Sequence, residues 1–489
     1  MQEFDKEKPN KFGVAAGYAF VINSCIGAGF LAIPSVFQTG GWLLALVMTS
    51  TSLLLGGLFS LQLIEITSRA NALNEYQKAG NEVKPVSLVT VTKVGLGLAK
   101  PSTERFLDMS EPSLSDTRQF DPSELVRLLL GNWLSYIYVV CICLYLAGAL
   151  TAYANIFGTA FGTHAPILRS CDYNTLGTIA FDCRMQYLIF VSMFLVIMIY
   201  FTNIEFSEQL WMQAVMTVAR VVVMLSIIIL SLVSLGNQEN INNNDSYRDG
   251  DPPLADWSKF GFMLPALLFG GIYQTQFAGI LSAIQKEMTV LKPIVGYVTL
   301  TLEFFYITLG LTASFAVNHV ASNASLSFGK YSNGDGENGR PIWTEIIGYG
   351  IVLFPAIDVM SIFPIVAHGI SDNIMGLLGV TDRESFRRTQ RLKYHGLRTI
   401  CILPSFGYAF SETHLGTIVN NTGFFVFFLV LFMVPLMHIA ARIRVPSASK
   451  YNCNFSPPVN STQWLSLSIA LVTIPLFVYS LYTVITASV

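Results

Sequence analysis

Apolar runs of roughly 18 to 26 residues recur along almost the whole length of this 489-residue chain, each long enough to cross about 30 Å of hydrocarbon as an α-helix. In a bilayer the amides and carbonyls of a crossing must be satisfied within the protein, which restricts crossings to helices and closed barrels. The sequence has no series of ten-residue segments with alternating polarity, as a barrel requires. The expected fold is therefore an all-α polytopic membrane protein with about eleven transmembrane helices, over 13–37, 42–66, 129–158, 185–203, 210–235, 260–284, 293–317, 343–369, 398–411, 415–440 and 464–487. Composition agrees: 52% hydrophobic and 12% charged residues, with a mean hydropathy of +0.53, lie outside the range of soluble globular chains.

The lead "MQEFDKEKPNK" is charged and has no small-residue cleavage site, so insertion is expected through the chain's own helices, without a cleaved signal. With the N-terminus in the cytosol, about 22 of the 29 Lys and Arg fall on the cytosolic side and about six beyond the membrane, the bias that insertion favours. The basic run "RESFRRTQRLKYHGLR" carries much of that bias and is read as a topological anchor. The resulting division is a cytosolic N-terminus (1–12), helices 1–2 (13–66), a cytosolic loop (67–128), helices 3–5 (129–235), an exofacial loop (236–259), helices 6–10 (260–440), a second cytosolic loop (441–463) and helix 11 (464–489). The first cytosolic loop, rich in Ser and Thr and carrying Pro85, Pro101, Pro112 and Pro122, reads as a partly disordered tether. The acidic exofacial loop reads as a solvated cap.

Cys171 and Cys183 fall on the exofacial side, where a disulfide can form, whereas the other five cysteines lie in spans or toward the cytosol. Sequons at Asn244 and Asn323 also fall in exofacial loops and are expected glycosylation sites; a third at Asn420 lies too deep in span 10.

Residues 22–34 read "INSCIGAGFLAIP". Asn23 and Ser24 compete with the helical ladder, Gly27 and Gly29 permit conformations closed to other residues, and Pro34 supplies no donor. Loosened backbone at mid-membrane is tolerated only where protein, water or a ligand satisfies it, so the break predicts a cavity. A second half-helix starting near Phe30 would present free N–H groups to a carboxylate, while the carbonyls ending the first half suit Na⁺ or an ammonium. Close helix packing at "GAG" is the alternative. Span 6 repeats the pattern in "LLFGGIYQTQFAG", with Gly270 and Gly271 beside Tyr273, Gln274 and Gln276. Two broken helices five spans apart are the expected mark of inverted repeats, spans 1–5 and 6–10, around a midplane binding site.

Three ionisable residues lie at membrane depth, where charge is costly. Arg220 and Glu303 sit at similar depths and are expected to pair, holding spans 5 and 7 together. Asp358, between Pro355 and Pro364 in span 8, is the candidate for binding Na⁺ or a proton, with Ser361 one turn away; a static hydrogen bond to a neighbouring helix is the competing reading. Tyr138 and Tyr145 share one face of span 3 and are candidates to close over a substrate, although packing also accounts for them. His414, Thr417, Asn420, Asn421 and Thr422 make a polar entry to span 10, read collectively as lining an outer gate.

"NSCIGAGFLAIPSVFQTGGW" resembles the first helix of the amino acid/auxin permease family within the amino acid–polyamine–organocation superfamily. Together with "YVVCICLYLAGALTAYA", "PPLADWS" and "LFPAIDVMSIFPIVA", it is similar to the transmembrane protein 104 branch. The resemblance implies eleven helices in a LeuT-like 5+5 inverted repeat with discontinuous helices 1 and 6, and amino-acid cargo carried with Na⁺ or H⁺. It places Asn23, Ile26, Gly27, Ala28 and Gly29 at the first break, Phe269, Gly270, Gly271 and Tyr273 at the second, and a cation position, which Asn23 adjoins, near Asp358 and Ser361. Related carriers use hydroxyls at that position, so the carboxylate departs from the pattern and points toward proton coupling.

The expected function is secondary active transport of a small amino acid by alternating access, spans 1, 2, 6 and 7 rocking against spans 3, 4, 5, 8, 9 and 10. A non-transporting amino-acid sensor of the same fold is the alternative. An enzyme is not expected, since no HExxH, GxSxG or Cys/His metal spacing occurs in a span. No cofactor beyond a coupling Na⁺ or H⁺ and no nucleic-acid partner are expected. A monomer is expected in the bilayer of the plasma membrane or of an endolysosomal or vacuolar membrane.

Overall fold

The computed structural model describes residues 13–26, 28–78, 84–99, 120–165, 167, 171, 173, 180–203, 210–236, 251–271, 288–329, 331, 341–378, 380, 383–412, 414–445 and 463–487. Most of these residues are helical, and there is no strand among them. The elements are α1 (Val14–Cys25), a 3₁₀ turn (Ala28–Ala32), α2 (Ile33–Gly40), α3 (Trp42–Lys78), α4 (Leu88–Gly95), α5 (Pro122–Leu130), α6 (Asn132–His164), α7 (Phe181–Thr202), α8 (Leu210–Gly236), α9 (Phe260–Gly271), α10 (Met288–Ala316), α11 (Ile342–Leu377), α12 (Arg391–Ser411), α13 (Leu415–Arg444) and α14 (Gln463–Ala487). Short helices Ala324–Ser327 and Arg383–Thr389 connect them.

Among the described residues, eight helices are long and apolar enough to span a bilayer: α3, α6, α7, α8, α10, α11, α13 and α14. The other three expected crossings are of a different kind. The first is divided between α1 and α2, the sixth is described only through the 12 residues of α9, and the ninth corresponds to the more polar α12.

Proline is absorbed where a neighbour replaces its missing donor. Pro435 offers no N–H to the Leu431 carbonyl, and α13 widens there into a π turn over Phe427–Phe432. The Thr473 hydroxyl of α14 reaches that carbonyl at 3.4 Å.

The helix that carries span 2 does not end near residue 66: α3 continues to Lys78. In its second half Glu65 and Arg69 are neutralised internally. Glu65, 1% exposed, accepts from Arg69 one turn along at 2.8 Å, from Arg442 at 2.8 Å and from His438 at 3.1 Å. Gln62 donates to Ser466, whose hydroxyl lies 3.0 Å from His438 Nδ1. One carboxylate thus joins α3 to the end of α13, and the relay through Ser466 adds α14. The described parts of the loop that follows include two helices. Ser87 caps α4 by accepting from the Thr90 amide at 3.2 Å, and α4 and α5 both pack on α13.

The disulfide between Cys171 and Cys183 is present, with Cα atoms 5.6 Å apart. The Tyr173 hydroxyl donates to the Cys183 carbonyl at 2.7 Å, and burial pushes this phenol up to about 12. The expectation of a glycan at Asn323 is corrected: the residue is 2% exposed, and its Oδ1 accepts from Ser325 at 2.8 Å, so its amide is not presented for modification. Asn244 lies outside the described residues.

Candidate functional site

Helix 1 breaks where its residue types conflict with a helix. α1 closes at Ile26, whose amide still donates to the Ile22 carbonyl at 3.0 Å but whose ψ of 82° leaves the helical region. The chain resumes as the 3₁₀ turn and then as α2, with Pro34 in its first turn, where no amide donor is required. Gly27 and the side chains of Asn23, Ser24 and Ala28 lie outside the described residues.

The far end of this broken crossing is fastened to the start of α9. Gly41, at φ 96°, allows the chain to turn while the Pro253–Asp256 segment runs alongside. Trp42 and Leu43 donate to the carbonyls of Pro253 and Leu254 at 3.0 and 3.1 Å, and Asp256 returns a bond to Gly40 at 2.9 Å. Asp256 then caps the next turn, and the two hydrogen bonds from Ser258 hold its carboxyl below the usual range.

α9 meets the break at its last turn. A Cβ placed on Gly29 would lie 2.5 Å from the Gly270 Cα, so the approach is main chain to main chain. Phe269, one residue earlier, meets Tyr145 of α6 edge-on, with ring centroids 6.0 Å apart. Four of the expected substrate-site residues, Gly29, Tyr145, Phe269 and Gly270, therefore converge. Ile26 is buried beside them in sequence, and Gly271 turns toward Ser52 of α3. Tyr273, and with it any break after Gly271, lies outside the described residues. Tyr138 is buried two turns before Tyr145, and among the described residues no hydrogen bond or ring contact links it to the break.

Arg220 corrects one pairing. It donates to Asp358, Nε to Oδ2 at 2.9 Å and Nη2 to Oδ1 at 2.6 Å, with the two residues 1% and 4% exposed. No ion pair joins it to Glu303 among the described residues. Sequence spacing had matched the depth of these two groups but not their direction around the helix axis. On α10 the buried face carries Leu302, Tyr306 and Leu309, whereas half-buried Glu303 lies between exposed Leu300 and Phe304. Ser361 donates to the Asp358 backbone carbonyl at 2.8 Å. Cys25 at the end of α1, Tyr153 of α6 and Tyr306 of α10 all lie within electrostatic reach of Arg220. The ion pair and the break thus belong to one region.

The model of the family described as "Transmembrane amino acid transporter protein" matches residues 10–486. The chain belongs to that family. It is also similar to the transmembrane protein 104 homolog of Drosophila melanogaster, at 23% identity over 96% of this chain and 98% of the relative. Against transmembrane protein 104 of Homo sapiens the identity is 21%, covering 97% and 95% respectively. The Caenorhabditis elegans homolog gives 24% over 76% of this chain and 70% of its own length. Membership in this transporter family agrees with the polytopic helical fold, and the similarity to the transmembrane protein 104 group agrees with the motif in helix 1.

Spacing and periodicity missed two groups of residues. The Glu65–Arg69–His438–Arg442 cluster brings together positions up to 377 residues apart, and Glu65 and Arg69 straddled the expected end of span 2. Tyr306 carried no signal, because an aromatic residue within an apolar run reads as packing.

Proposed function

We propose that the protein is a secondary active transporter of small amino acids, working by alternating access in a LeuT-like 5+5 inverted repeat of eleven helices with a cytosolic N-terminus. The observation that carries this reading is the interrupted first crossing, whose Gly29 lies against Gly270 at the end of α9. Amide groups at the start of the 3₁₀ turn suit the cargo carboxylate, and carbonyls ending α1 suit its ammonium group. Tyr145 and Phe269 would cover the cargo, with Asn23, Ser24, Gly27, Ala28 and Tyr273 completing the site. The family match supports the amino-acid cargo class.

Of the two coupling ions expected, H⁺ fits better than Na⁺. Both Asp358 oxygens already accept from Arg220, and Na⁺ binding there would have to displace that guanidinium. One observation favours the sensor reading: α4 and α5 pack on α13, with α4 also touching α14 and α5 touching α3 and α6, which would suit a reporter of occupancy.

Exchange of labelled amino acids by the purified protein in liposomes, with and without Na⁺ and with an imposed pH gradient, tests these readings. The expected result is Na⁺-independent uptake that rises when the external side is acid. Binding without flux favours the sensor, and strict Na⁺ dependence overturns the assignment of the ion.

A further inference from the structure

Tyr306 is fully buried in α10, yet its hydroxyl has no hydrogen-bond partner among the described residues. Buried hydroxyls are almost always bonded, because removing one from water without a partner costs stability. Phenylalanine would fill the same space without that cost, so the hydroxyl calls for an explanation.

Its position is fixed by contacts on either side. Five residues before it, Thr301 shares a 2.8 Å hydrogen bond with Tyr18 of α1. One turn after it, Gly310 lies against the Phe37 ring of α2. α10 therefore runs beside both halves of helix 1, and Tyr306, midway between these contacts, is level with the break between Cys25 and Ala28. The Cys25 thiol and the Arg220 guanidinium lie within electrostatic reach of its hydroxyl. The neighbouring backbone at Ile26 has already left the helix.

We infer that the Tyr306 hydroxyl is a cargo-binding group of the site at the helix 1 break. As an O–H donor it suits a carboxylate, and as an acceptor it suits an ammonium, so a zwitterionic amino acid satisfies it in either role. This inference rests on the transport reading, to which it adds a residue that selects for a charged, hydrogen-bonding backbone group over an apolar solute. Asn420, 2% exposed with both amide atoms unbonded, is a second such residue. It shares its side of α13 with Gly423, which touches Pro265 of α9, and with Phe424 and Phe427, which touch Phe477 of α14. These contacts place it among α9, α13 and α14, and it is not assigned to this site.

The test compares full-length wild type, Tyr306→Phe and the exposed-face control Tyr297→Phe in liposomes, by counterflow of a panel of labelled neutral L-amino acids. Thermal melting of each protein is recorded with and without the same amino acids. The expected result is a fall of roughly tenfold or more in transport efficiency for Tyr306→Phe alone, with a ligand-free melting temperature equal to or above wild type and a weakened amino-acid-dependent rise. Unchanged efficiency and unchanged ligand response overturn the inference while leaving the transport reading intact. A lower ligand-free melting temperature also overturns it, because the hydroxyl would then have a structural partner. A wild-type protein that neither exchanges nor is stabilised by any amino acid overturns both.

Discussion

Arg220 and Asp358 form a two-point ion pair between α8 and α11, with both contacts at 2.9 Å or less and both side chains nearly sealed from solvent. A buried pair is not in itself a large source of stability, because desolvation offsets much of the attraction; removing one member, however, strands the other. The pair is thus more informative about where charge must be kept than about what holds the fold together.

Asp358→Asn and Arg220→Met should each lower stability by roughly 3–5 kcal/mol, because each leaves a buried partner uncompensated. The double variant Arg220→Met/Asp358→Leu should recover much of that loss. Thermal melting in detergent checks the order: a double variant less stable than both singles contradicts it. If the ion pair also serves transport, flux should remain low in the double variant after stability returns.

Gly29→Ala should be far more damaging than alanine at an unconfined glycine. The added Cβ would fall 2.5 Å from the Gly270 Cα, whereas Gly296 and Gly350 have nothing within 4 Å. We expect a cost of about 1–3 kcal/mol and loss of transport at position 29. Gly296→Ala and Gly350→Ala should be neutral or stabilise by up to about 1 kcal/mol, since alanine is the better helix former. Equal melting temperatures and equal flux across the three variants would contradict the main-chain contact.

Glu65→Gln should exceed Arg442→Gln in effect. Glu65 is the shared acceptor of three basic side chains, while the Arg442 side chain is 23% exposed and can turn partly to water. Removing the carboxylate is expected to cost roughly 3–5 kcal/mol and to loosen α3 from α13. Hydrogen exchange over residues 62–74 should rise in Glu65→Gln and change less in Arg442→Gln. The reverse order would show that Glu65 is not the organising group.

Cys171→Ser/Cys183→Ser, or reduction of the wild type, should cost about 2–3 kcal/mol, given the 12-residue separation of the bridge. The same corner has a pH signature. Tyr173 is raised from an ordinary value of 10.0 to about 12, so its protonated form is favoured in the fold. Its stabilisation is complete below pH 10 and is lost as pH rises through about 12. Tyr173→Phe should flatten that part of the melting profile, and an unaltered profile would remove the assignment.

The sequence made the interruption of helix 1 legible because Asn23, Gly27, Gly29 and Pro34 each disfavour a helix for a different local reason. The disulfide was legible because only Cys171 and Cys183 fell on one expected side of the membrane. The partner of Arg220 was not legible: spacing along a helix gives depth, but direction around the axis depends on how α8, α10 and α11 pack. Polarity also misled at the end of span 2, where Glu65 and Arg69 read as the approach to a loop although His438 and Arg442 keep them inside. Tyr306 shows a further limit, since only the absence of a bond to its hydroxyl distinguishes it from an ordinary packed aromatic.

The 37 residues of α3 measure about 55 Å, against roughly 30 Å for the oily interior of a bilayer. About 25 Å must therefore stand outside like a mast, leaving room for any lean. A lean of about 10° within the lipid would swing its tip by roughly 4 Å. Were α3 to lean so when a solute binds, a small rearrangement inside the bilayer would become a displacement that a neighbouring molecule could feel.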